Sequence, residues 1–219
     1  MTAVFADRRD GGRRLAGRLL ALAPELPVVV ALPRGGVPVG FEVAGALAAP
    51  LDVLVVRKLG APRNPELGVG AIAEGGAAVF DVAAAASAGM AQAALDATLR
   101  REREELRRRV ERYRGGRARI DLRGRTVIVV DDGLATGLSA LAAVRALRAD
   151  DVARIVVAVP VGARESVAML AVEADEVVCH TIPRQLLAVG RWYTDFSPVS
   201  DEEVMSLLAG GGGLDTPTR

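Results

Sequence analysis

The stretch RTVIVVDDGLATGLSA, residues 125–140, determines how the rest of the chain is interpreted. Its apolar run, Thr126–Val130, has the length and the β-branched composition of a buried strand. Two adjacent carboxylates, Asp131 and Asp132, follow at once, and a glycine-containing turn leads into a helical pattern. Because like charges at the end of a buried strand need a partner, the stretch predicts a ligand site at the edge of a sheet.

Four further apolar runs share the features of that strand. They are rich in valine and continuous rather than alternating, which is typical of parallel strands covered on both faces. These runs are Val28–Leu32, Val53–Val56, Arg154–Val159 and Glu176–Thr181. Helical patterns lie between most of them, at Gly12–Ala23, Val37–Ala48, Leu138–Arg148 and Ala163–Glu173. The alternation predicts an α/β fold with a doubly wound, mostly parallel sheet.

An insertion at about residues 59–117 interrupts this alternation. Its first part, from Leu59 onward, is rich in Pro, Gly and Asn and predicts a flexible loop. Its second part predicts a hairpin of Gly70–Glu74 and Ala77–Asp81, and a long helix follows at roughly Ala88–Arg114. We expect a single domain, 1–219, that contains this insertion and a C-terminal segment at about 182–209.

Composition excludes several classes of protein. The chain is 51% hydrophobic and 25% charged, which is enough for a core, and its net charge of +1 provides no global attraction for nucleic acid or membrane. A single cysteine, the lack of an apparent signal peptide and the lack of a membrane-spanning stretch predict a cytoplasmic protein. Cys179 and His180 are neighbours on a predicted strand, so they point apart and form no nucleophile–base pair.

An arginine-rich stretch, RREREELRRRVERYRGGR, spans residues 100–117. A basic stripe can bind nucleic acid, but here Glu102, Glu104, Glu105 and Glu111 are interleaved with the arginines at helical spacing. We therefore interpret the stretch as a solvated or subunit-facing helix. We expect a homo-oligomer with no membrane partner and no nucleic-acid partner.

The stretch at 125–140 has two chemically different ends. Asp131 and Asp132 suit the hydroxyl groups of a polyol or a hydrated cation. The backbone amides from Gly133 onward lie where a helix begins and suit a phosphate, and Thr136 and Ser139 add hydroxyl donors. The phosphate loop of nucleotide hydrolases is excluded because no Gly-Lys-Ser/Thr is present. A phosphorylated sugar has both features that this stretch would recognise.

The motif VIVVDDGLATGLSA closely resembles the signature of the type I phosphoribosyltransferases. In that family two acids bind the ribose hydroxyls of phosphoribosyl pyrophosphate (PRPP), and the loop after them binds the 5′-phosphate. The resemblance therefore implies that Asp131 and Asp132 hold the ribose. The implied phosphate loop consists of Gly133, Leu134, Ala135, Thr136, Gly137, Leu138 and Ser139. The chain is also similar to a bacterial group that shares LPRGG, RKxGAPxNPE and VDDGxATG.

Two more elements agree with this family. The segment PRGG follows the first strand, and the resemblance implies a pyrophosphate loop of Arg34, Gly35 and Gly36, which in the family often carries a non-proline cis peptide. Arg57 and Lys58 end the second predicted strand and are implied to neutralise the departing pyrophosphate, with Asp132 as the third catalytic residue. Since adjacent strand residues point to opposite faces, only one of the two cations is expected to face pyrophosphate.

The resemblance also implies a cofactor and a cover for the base. Mg²⁺ is expected to arrive on PRPP and to be held mainly by its oxygens, with Asp131 and Asp132 contacting it through water, because no dedicated metal cluster is apparent. A C-terminal hood at about 182–209 is implied to stack on the base with Trp192, Tyr193 and Phe196. An aromatic cluster that anchors the C-terminal segment explains these three residues equally well.

The resemblance implies a pentosyltransferase that moves a phosphoribosyl group to or from a nitrogenous base, in nucleotide salvage or related metabolism. Ala135 stands near the position where the 6-oxopurine enzymes carry an Asp, which weakens a hypoxanthine or guanine assignment. The alternative is a regulatory protein of the same fold that binds a phosphoribosylated ligand and RNA or a protein partner. The arginine-rich stretch motivates that alternative.

Overall fold

The computed structural model describes residues 4–61 and 64–211. Its helices are α1 (Arg8–Ala16), α2 (Gly36–Leu47), α3 (Val82–Ser87), α4 (Gln92–Arg114), α5 (Leu138–Ala149), α6 (Arg164–Glu173) and α7 (Asp201–Gly211). Its strands are β1 (Val28–Ala31), β2 (Leu51–Val53), β3 (Val56–Ala61), β4 (Asn64–Ala73), β5 (Ala78–Phe80), β6 (Thr126–Val130), β7 (Arg154–Val161) and β8 (Glu176–Thr181). None of the described helices has the length and apolarity that crossing a membrane requires.

A five-stranded parallel sheet runs through the protein in the order β2-β1-β6-β7-β8. Strands β1 and β6 are neighbours, and Ala31 lies beside Val130 at their carboxyl ends. From β1 the chain continues outward to β2, whereas from β6 it continues in the other direction to β7 and β8. The gap between β1 and β6 is therefore the topological switch point, the place where open α/β sheets bind ligands.

The sheet is buried on both faces, which explains its apolar sequence. Residues 127–130 of β6 are at most 1% exposed. One face packs against α1, α2 and α7, and the other packs against the alanine-rich α5 and against α6. A strand that is covered on both faces has no polar side to alternate with, so its run is continuous. The predicted α/β class with a doubly wound parallel sheet is confirmed.

The prediction of one strand at Val53–Val56 is wrong. Strand β2 ends at Val53, and the chain then enters a separate antiparallel sheet, β3-β4-β5, at Val56. Leu54 and Val55 connect β2 to β3 and are buried. Because they are apolar like the residues on either side, the hydrophobic run gives no sign that the chain leaves one sheet and enters the other. Arg57 and Lys58 consequently lie within β3 rather than at the end of a core strand.

Other parts of the insertion differ in a similar way. The hairpin of β4 and β5 is confirmed, and Gly75 and Gly76 at its turn have φ of 87° and 94°. The segment from Leu59, predicted as a loop, is paired backbone of β3 and β4 where it is described, and residues 62 and 63 lie outside the described part. The long helix predicted at Ala88–Arg114 is confirmed as α4 but begins at Gln92, and the short helix α3, which was not predicted, precedes it. Gly89, with φ of 60°, lies between the two helices.

The first helix begins earlier than predicted. Instead of Gly12–Ala23, α1 covers Arg8–Ala16, and a 3₁₀ helix at Leu20–Glu25 follows it. Asp7 is the N-cap, and its Oδ1 accepts a hydrogen bond from the backbone N–H of Asp10 at 2.7 Å. Leu15, Leu19 and Leu22 have a helical spacing that extends from α1 into the 3₁₀ helix. This spacing alone therefore predicts one helix that begins and ends later than α1 does.

Replacing Ile128 by Ala tests the buried centre of the sheet. This side chain is fully buried in β6, so we expect the free energy of unfolding to fall by about 2–5 kcal/mol. Val172→Ala is the control, because Val172 is 86% exposed on α6. Urea denaturation measures both variants, and equal losses would contradict this account of the core.

Candidate functional site

The turn between β6 and α5 is braced by its surroundings. Asp131 Oδ1 accepts a hydrogen bond from the backbone N–H of Asp132 at 2.8 Å. Leu134 is buried, and its N–H donates to the backbone at the end of β7 at 2.9 Å. Ser166 Oγ of α6 donates to the carbonyl oxygen of Ala135 at 2.6 Å. The two acids therefore begin a turn that is tied to β7 and α6.

Helix α5 begins without a side-chain cap. Its N-cap, Gly137, has φ of 75°, a conformation that favours glycine. The first amides of a helix have no partner within it, and their dipoles attract anions. Thr136 is exposed and Ser139 is half-buried beside these amides. The predicted phosphate loop thus has amide and hydroxyl donors at the start of one helix.

The loop after β1, Pro33–Gly36, lies directly against the acids. A Cβ added to Gly35 would overlap Asp132 Oδ2. A Cβ added to Gly36 would lie 2.6 Å from the carbonyl oxygen of Val130. Real Cβ atoms do not approach other atoms so closely, so both positions need glycine. The structure brings the predicted pyrophosphate loop and the predicted ribose acids into contact.

Arg34 is loosely held at this loop. The peptide bond that joins Pro33 to Arg34 is cis, as the resemblance implied. The Arg34 side chain lines the cleft and is 42% exposed. Its Nη1 lies 3.9 Å from Asp201 Oδ1 at the start of α7, which is beyond hydrogen-bonding distance. The guanidinium is therefore accessible to an anion in the cleft.

Arg57 and Lys58 of strand β3 both line this cleft, but their side chains differ in how they are held. Arg57 is held by Glu102 of α4, with its Nη2 and Nε donating to Oε2 at 2.7 and 3.0 Å. Lys58 is exposed, and it lies close enough to Asp131 and Asp132 for its charge to oppose the rise in their pKa that burial causes. Lys58 is therefore an exposed cation in the cleft that contains the acids, while Arg57 is anchored on α4.

The two acids share one electrostatic environment. Burial raises the pKa of Asp131, and the like charge of Asp132 raises it further. Burial also raises the pKa of Asp132, although a hydrogen bond from Arg8 opposes this rise. A ligand that brings hydroxyl donors or a cation to this pair would stabilise its ionised form.

Two charged residues of the cleft, Arg8 and Arg109, were not predicted from the sequence. Arg8 Nε donates to Asp132 Oδ2 at 2.8 Å. Arg109 Nε donates to Glu105 Oε1 at 2.8 Å. Recognising Asp7 as a helix cap would have placed Arg8 at the start of α1. Nothing in the local sequence distinguishes Arg109 from the other arginines of α4.

The aromatic residues predicted for the hood occupy different positions. Phe196 lines the cleft. Tyr193 is buried with its ring centroid 5.1 Å from that of Phe196, and its hydroxyl donates to the carbonyl oxygen of Asp132 at 2.6 Å. Trp192 is half-buried and packs on a small cluster with Phe5. Tyr193 and Trp192 thus anchor the C-terminal segment, and base stacking by the three residues stays a prediction.

The cleft that these elements enclose has a volume of about 880 Å³. It is lined by the two acids, the start of α5, residues 33–35 of the loop after β1 and the cationic side chains of α1, β3 and α4. The same cleft is bordered by a mostly apolar run, Leu187–Gly190. Such a combination can hold a ligand that has hydroxyl groups and more than one phosphate.

A comparison with known families agrees with this geometry. The chain matches the phosphoribosyl transferase domain family over residues 7–191. It belongs to the phosphoribosyltransferases. The matched range begins just before α1 and includes both loops at the switch point, so it contains the two acids and the cations of the cleft.

Individual relatives of this chain extend the comparison. Two proteins from strains of Mycobacterium tuberculosis, "Putative phosphoribosyl transferase MT0597" and "Putative phosphoribosyl transferase Rv0571c", are each 51% identical over 205 residues. The match covers 94% of this chain and 46% of each relative, so the chain spans about half their length. The crystal structure of TT1426 from Thermus thermophilus is 45% identical, with a TM-score of 0.79, 97% of this chain covered and 100% of that chain.

Phosphoribosyltransferases generally use Mg²⁺ together with PRPP, and the donor set of this cleft fits such a cation. No group of three or more metal-ligating side chains occurs among residues 4–61 and 64–211. The cleft does offer Asp131 and Asp132 side by side. Mg²⁺ is commonly bound by one or two carboxylates together with substrate phosphates and water. The site therefore suits a cation that is shared with a substrate.

The arginine-rich helix α4 makes many contacts within the chain. Besides holding Arg57, α4 pairs Arg112 with Asp201 at 2.7 Å and Arg114 with Glu74 at 3.1 Å. These ion pairs join α4 to α7 and to the turn after β4. Arginines that neutralise neighbouring carboxylates attract a polyanion less strongly. The expectation that nucleic acid is not a partner gains support from these pairs and stays a prediction.

Gly35→Ala tests the contact between the two loops. The added Cβ must displace Asp132, which Arg8 holds, so we expect a loss of about 1–3 kcal/mol in the free energy of unfolding. Gly45→Ala on α2 is the matched control, since a Cβ there meets nothing within 4 Å, and it should keep or raise the melting temperature. Thermal denaturation measures both. A melting temperature unchanged by Gly35→Ala would show that the loop can move away from the acid.

Proposed function

We propose that this chain binds PRPP with Mg²⁺ in the cleft at the switch point and transfers the phosphoribosyl group to, or from, a nitrogenous base. One observation carries the proposal: Asp131 and Asp132 are followed by the uncapped start of α5. A ribose with a 5′-phosphate needs hydroxyl acceptors and phosphate donors side by side. A cytoplasmic location, a homo-oligomeric state and a role in nucleotide metabolism stay predictions.

In this proposal the two acids hold the ribose and the turn after them holds its phosphate. Carboxylate oxygens of Asp131 and Asp132 accept hydrogen bonds from the ribose hydroxyls. Amides at the start of α5 donate to the 5′-phosphate, and the hydroxyls of Thr136 and Ser139 add two donors. Glycine at position 137 keeps the backbone open to the phosphate.

The cations of the cleft neutralise the leaving group. In the proposed forward reaction the bond from ribose C1 to pyrophosphate breaks, and its electron pair leaves with pyrophosphate. A nitrogen of the acceptor forms the new bond to C1 and releases its proton. Arg34, Arg57 and Lys58 are the side chains that we assign to the charge of pyrophosphate, because they line the cleft from the loop 33–36 and from β3.

Lys58 is the only lysine in a chain whose other long basic side chains are all arginine. An ammonium is a compact, strongly hydrated point charge, whereas a guanidinium is broad and planar. The presence of lysine at this one position supports the proposal that the space between the acid pair and pyrophosphate needs the compact ammonium rather than a guanidinium. It also provides a unique chemical label within the cleft.

Bound Mg²⁺ would supply positive charge to the pyrophosphate oxygens and so favour their departure. Asp131 and Asp132 are the residues of this chain that would contact it, through water, while they hold the ribose. Burial raises the pKa of both groups, and a cation brought to the pair would favour their ionised form, which supports this assignment.

The acceptor side of the cleft is the mostly apolar border at Leu187–Gly190. Such a wall suits the flat face of a nitrogenous base. Ala135 is exposed at the cleft and presents no carboxylate to a ring nitrogen. This feature supports an acceptor other than hypoxanthine or guanine.

Protection of Lys58 from an amine-reactive reagent tests whether PRPP occupies the cleft. The reagent has two targets, Lys58 and the N-terminal amine, and mass spectrometry follows each peptide separately. We expect saturating PRPP with Mg²⁺ to slow labelling of Lys58 and to leave the N-terminal amine unaffected as the internal control. Unchanged labelling of Lys58, together with no thermal stabilisation by PRPP, would refute the proposal.

Turnover is tested by pyrophosphate release with a panel of nitrogenous bases. With any active base, Asp132→Asn and Lys58→Ala should each lower kcat/KM by about 10²-fold, since each removes a charged group from the reacting centre. Lys58→Arg keeps the charge and should still lose about tenfold, because the guanidinium differs in shape. Arg13→Lys on α1, which is 56% exposed, is the control and should retain full turnover.

A further inference from the structure

We propose that Arg8 is a positioning residue that holds Asp132 in place for the ribose hydroxyls, so that the N-terminal helix and the C-terminal segment complete the ribose site together. This inference rests on the proposed binding of PRPP. It adds a role for α1, a helix in which the sequence analysis found no functional residue.

Arg8 is fixed by three contacts at once. Its Nε donates to Asp132 Oδ2 at 2.8 Å, and its Nη1 donates to the carbonyl oxygen of Ser197 at 2.8 Å. Its Cζ lies 3.8 Å from the centroid of the Phe196 ring, within range of a cation–π interaction. The Arg8 side chain is only 11% exposed. A guanidinium held on a ring and by two acceptors has little freedom to move.

Asp132 is held from two further directions. The hydroxyl of Tyr193 donates to its carbonyl oxygen at 2.6 Å, and Tyr193 also stacks on Phe196. On the other side the backbone at Gly35 crowds Oδ2, the oxygen that Arg8 holds. Oδ2 is therefore committed within the chain, while a carboxylate has a second oxygen that can accept from ribose.

Pairing between the N-terminal and C-terminal segments brings Arg8 to the ribose acids. The N-terminal segment pairs with the C-terminal segment, since Phe5 N–H donates to Trp192 O at 2.9 Å and Thr194 N–H donates to Phe5 O at 2.8 Å. This pairing places the start of α1 beside Phe196. The hydrogen bonds of Arg8 go to the second acid and to Ser197, whereas Arg57 and Arg109 are bonded to α4.

Because Arg8 acts through Asp132, its removal should weaken ligands that contain ribose and spare those that do not. We test this with titrations of PRPP, ribose 5-phosphate and pyrophosphate, each with Mg²⁺. Arg8→Ala should weaken PRPP and ribose 5-phosphate by about tenfold, the size expected for a lost charge-assisted hydrogen bond. Its affinity for pyrophosphate should stay within about twofold of the unmodified chain.

Arg9→Ala is the matched control. Arg9 is the next residue of α1, and it too pairs with a carboxylate, Glu42 at 3.1 Å, and lies over a phenylalanine ring, Phe41 at 5.3 Å. It should bind all three ligands as the unmodified chain does. Arg8→Lys is a milder variant that keeps the charge, and it should lose less affinity for ribose 5-phosphate than Arg8→Ala.

The outcomes separate the inference from the proposed function. If the unmodified chain binds neither PRPP nor ribose 5-phosphate, the proposed function fails, and this inference fails with it. If it binds them but Arg8→Ala weakens pyrophosphate equally, Arg8 is a general phosphate contact and the inference is wrong. Tighter binding of ribose 5-phosphate by Arg8→Ala would mean that Arg8 blocks the acid, which also overturns it. Should Arg8→Ala not fold, Arg8→Lys decides between the same outcomes.

Discussion

The close approach of two backbone loops at the ends of β1 and β6 is the constraint on which the site depends. The N–H of Leu32 donates to the carbonyl oxygen of Val130 at 2.8 Å, so the two strands separate only after their last residues. Gly35 and Gly36 then pass against Asp132 and the end of β6 with no room for a side chain. A cation-bearing loop and a pair of carboxylates thereby become neighbours although about a hundred residues separate them in the chain.

This arrangement concentrates opposite charges at one edge of a buried sheet. The carboxyl groups of Asp131 and Asp132 are only partly exposed and repel each other, and the cations around them are attached to four different elements. A site in which like charges are kept close is ready for a ligand that brings the missing hydrogen bonds and counterions. Membership of the phosphoribosyltransferases agrees with such a site.

The sequence predicted what is local and missed what depends on distant packing. The strand at Thr126–Val130, the two acids and the glycine turn are contiguous, so composition and spacing identify them directly. The loop 33–36 could be placed beside them because parallel strands end at a common edge. Arg8 and Arg109 reach the cleft only through the docking of α1 and α4, and no local pattern encodes that docking. The end of β2 and the start of β3 were missed because Leu54 and Val55, which connect the two strands, are as apolar as the strand residues beside them.

The bond between Arg57 and Glu102 has a mechanical consequence. It joins β3 of the antiparallel sheet to α4, the helix that carries Arg109, and Leu106 of α4 is buried in the core. Lys58 lies on the same strand as Arg57. Ion pairs that the same helix makes with α7 and with β2 fix α4 against the parallel sheet, so Arg57 and Arg109 are held in place relative to that sheet. These two arginines are therefore positioned by the fold itself, and an anion that binds beside them has little side-chain ordering left to impose.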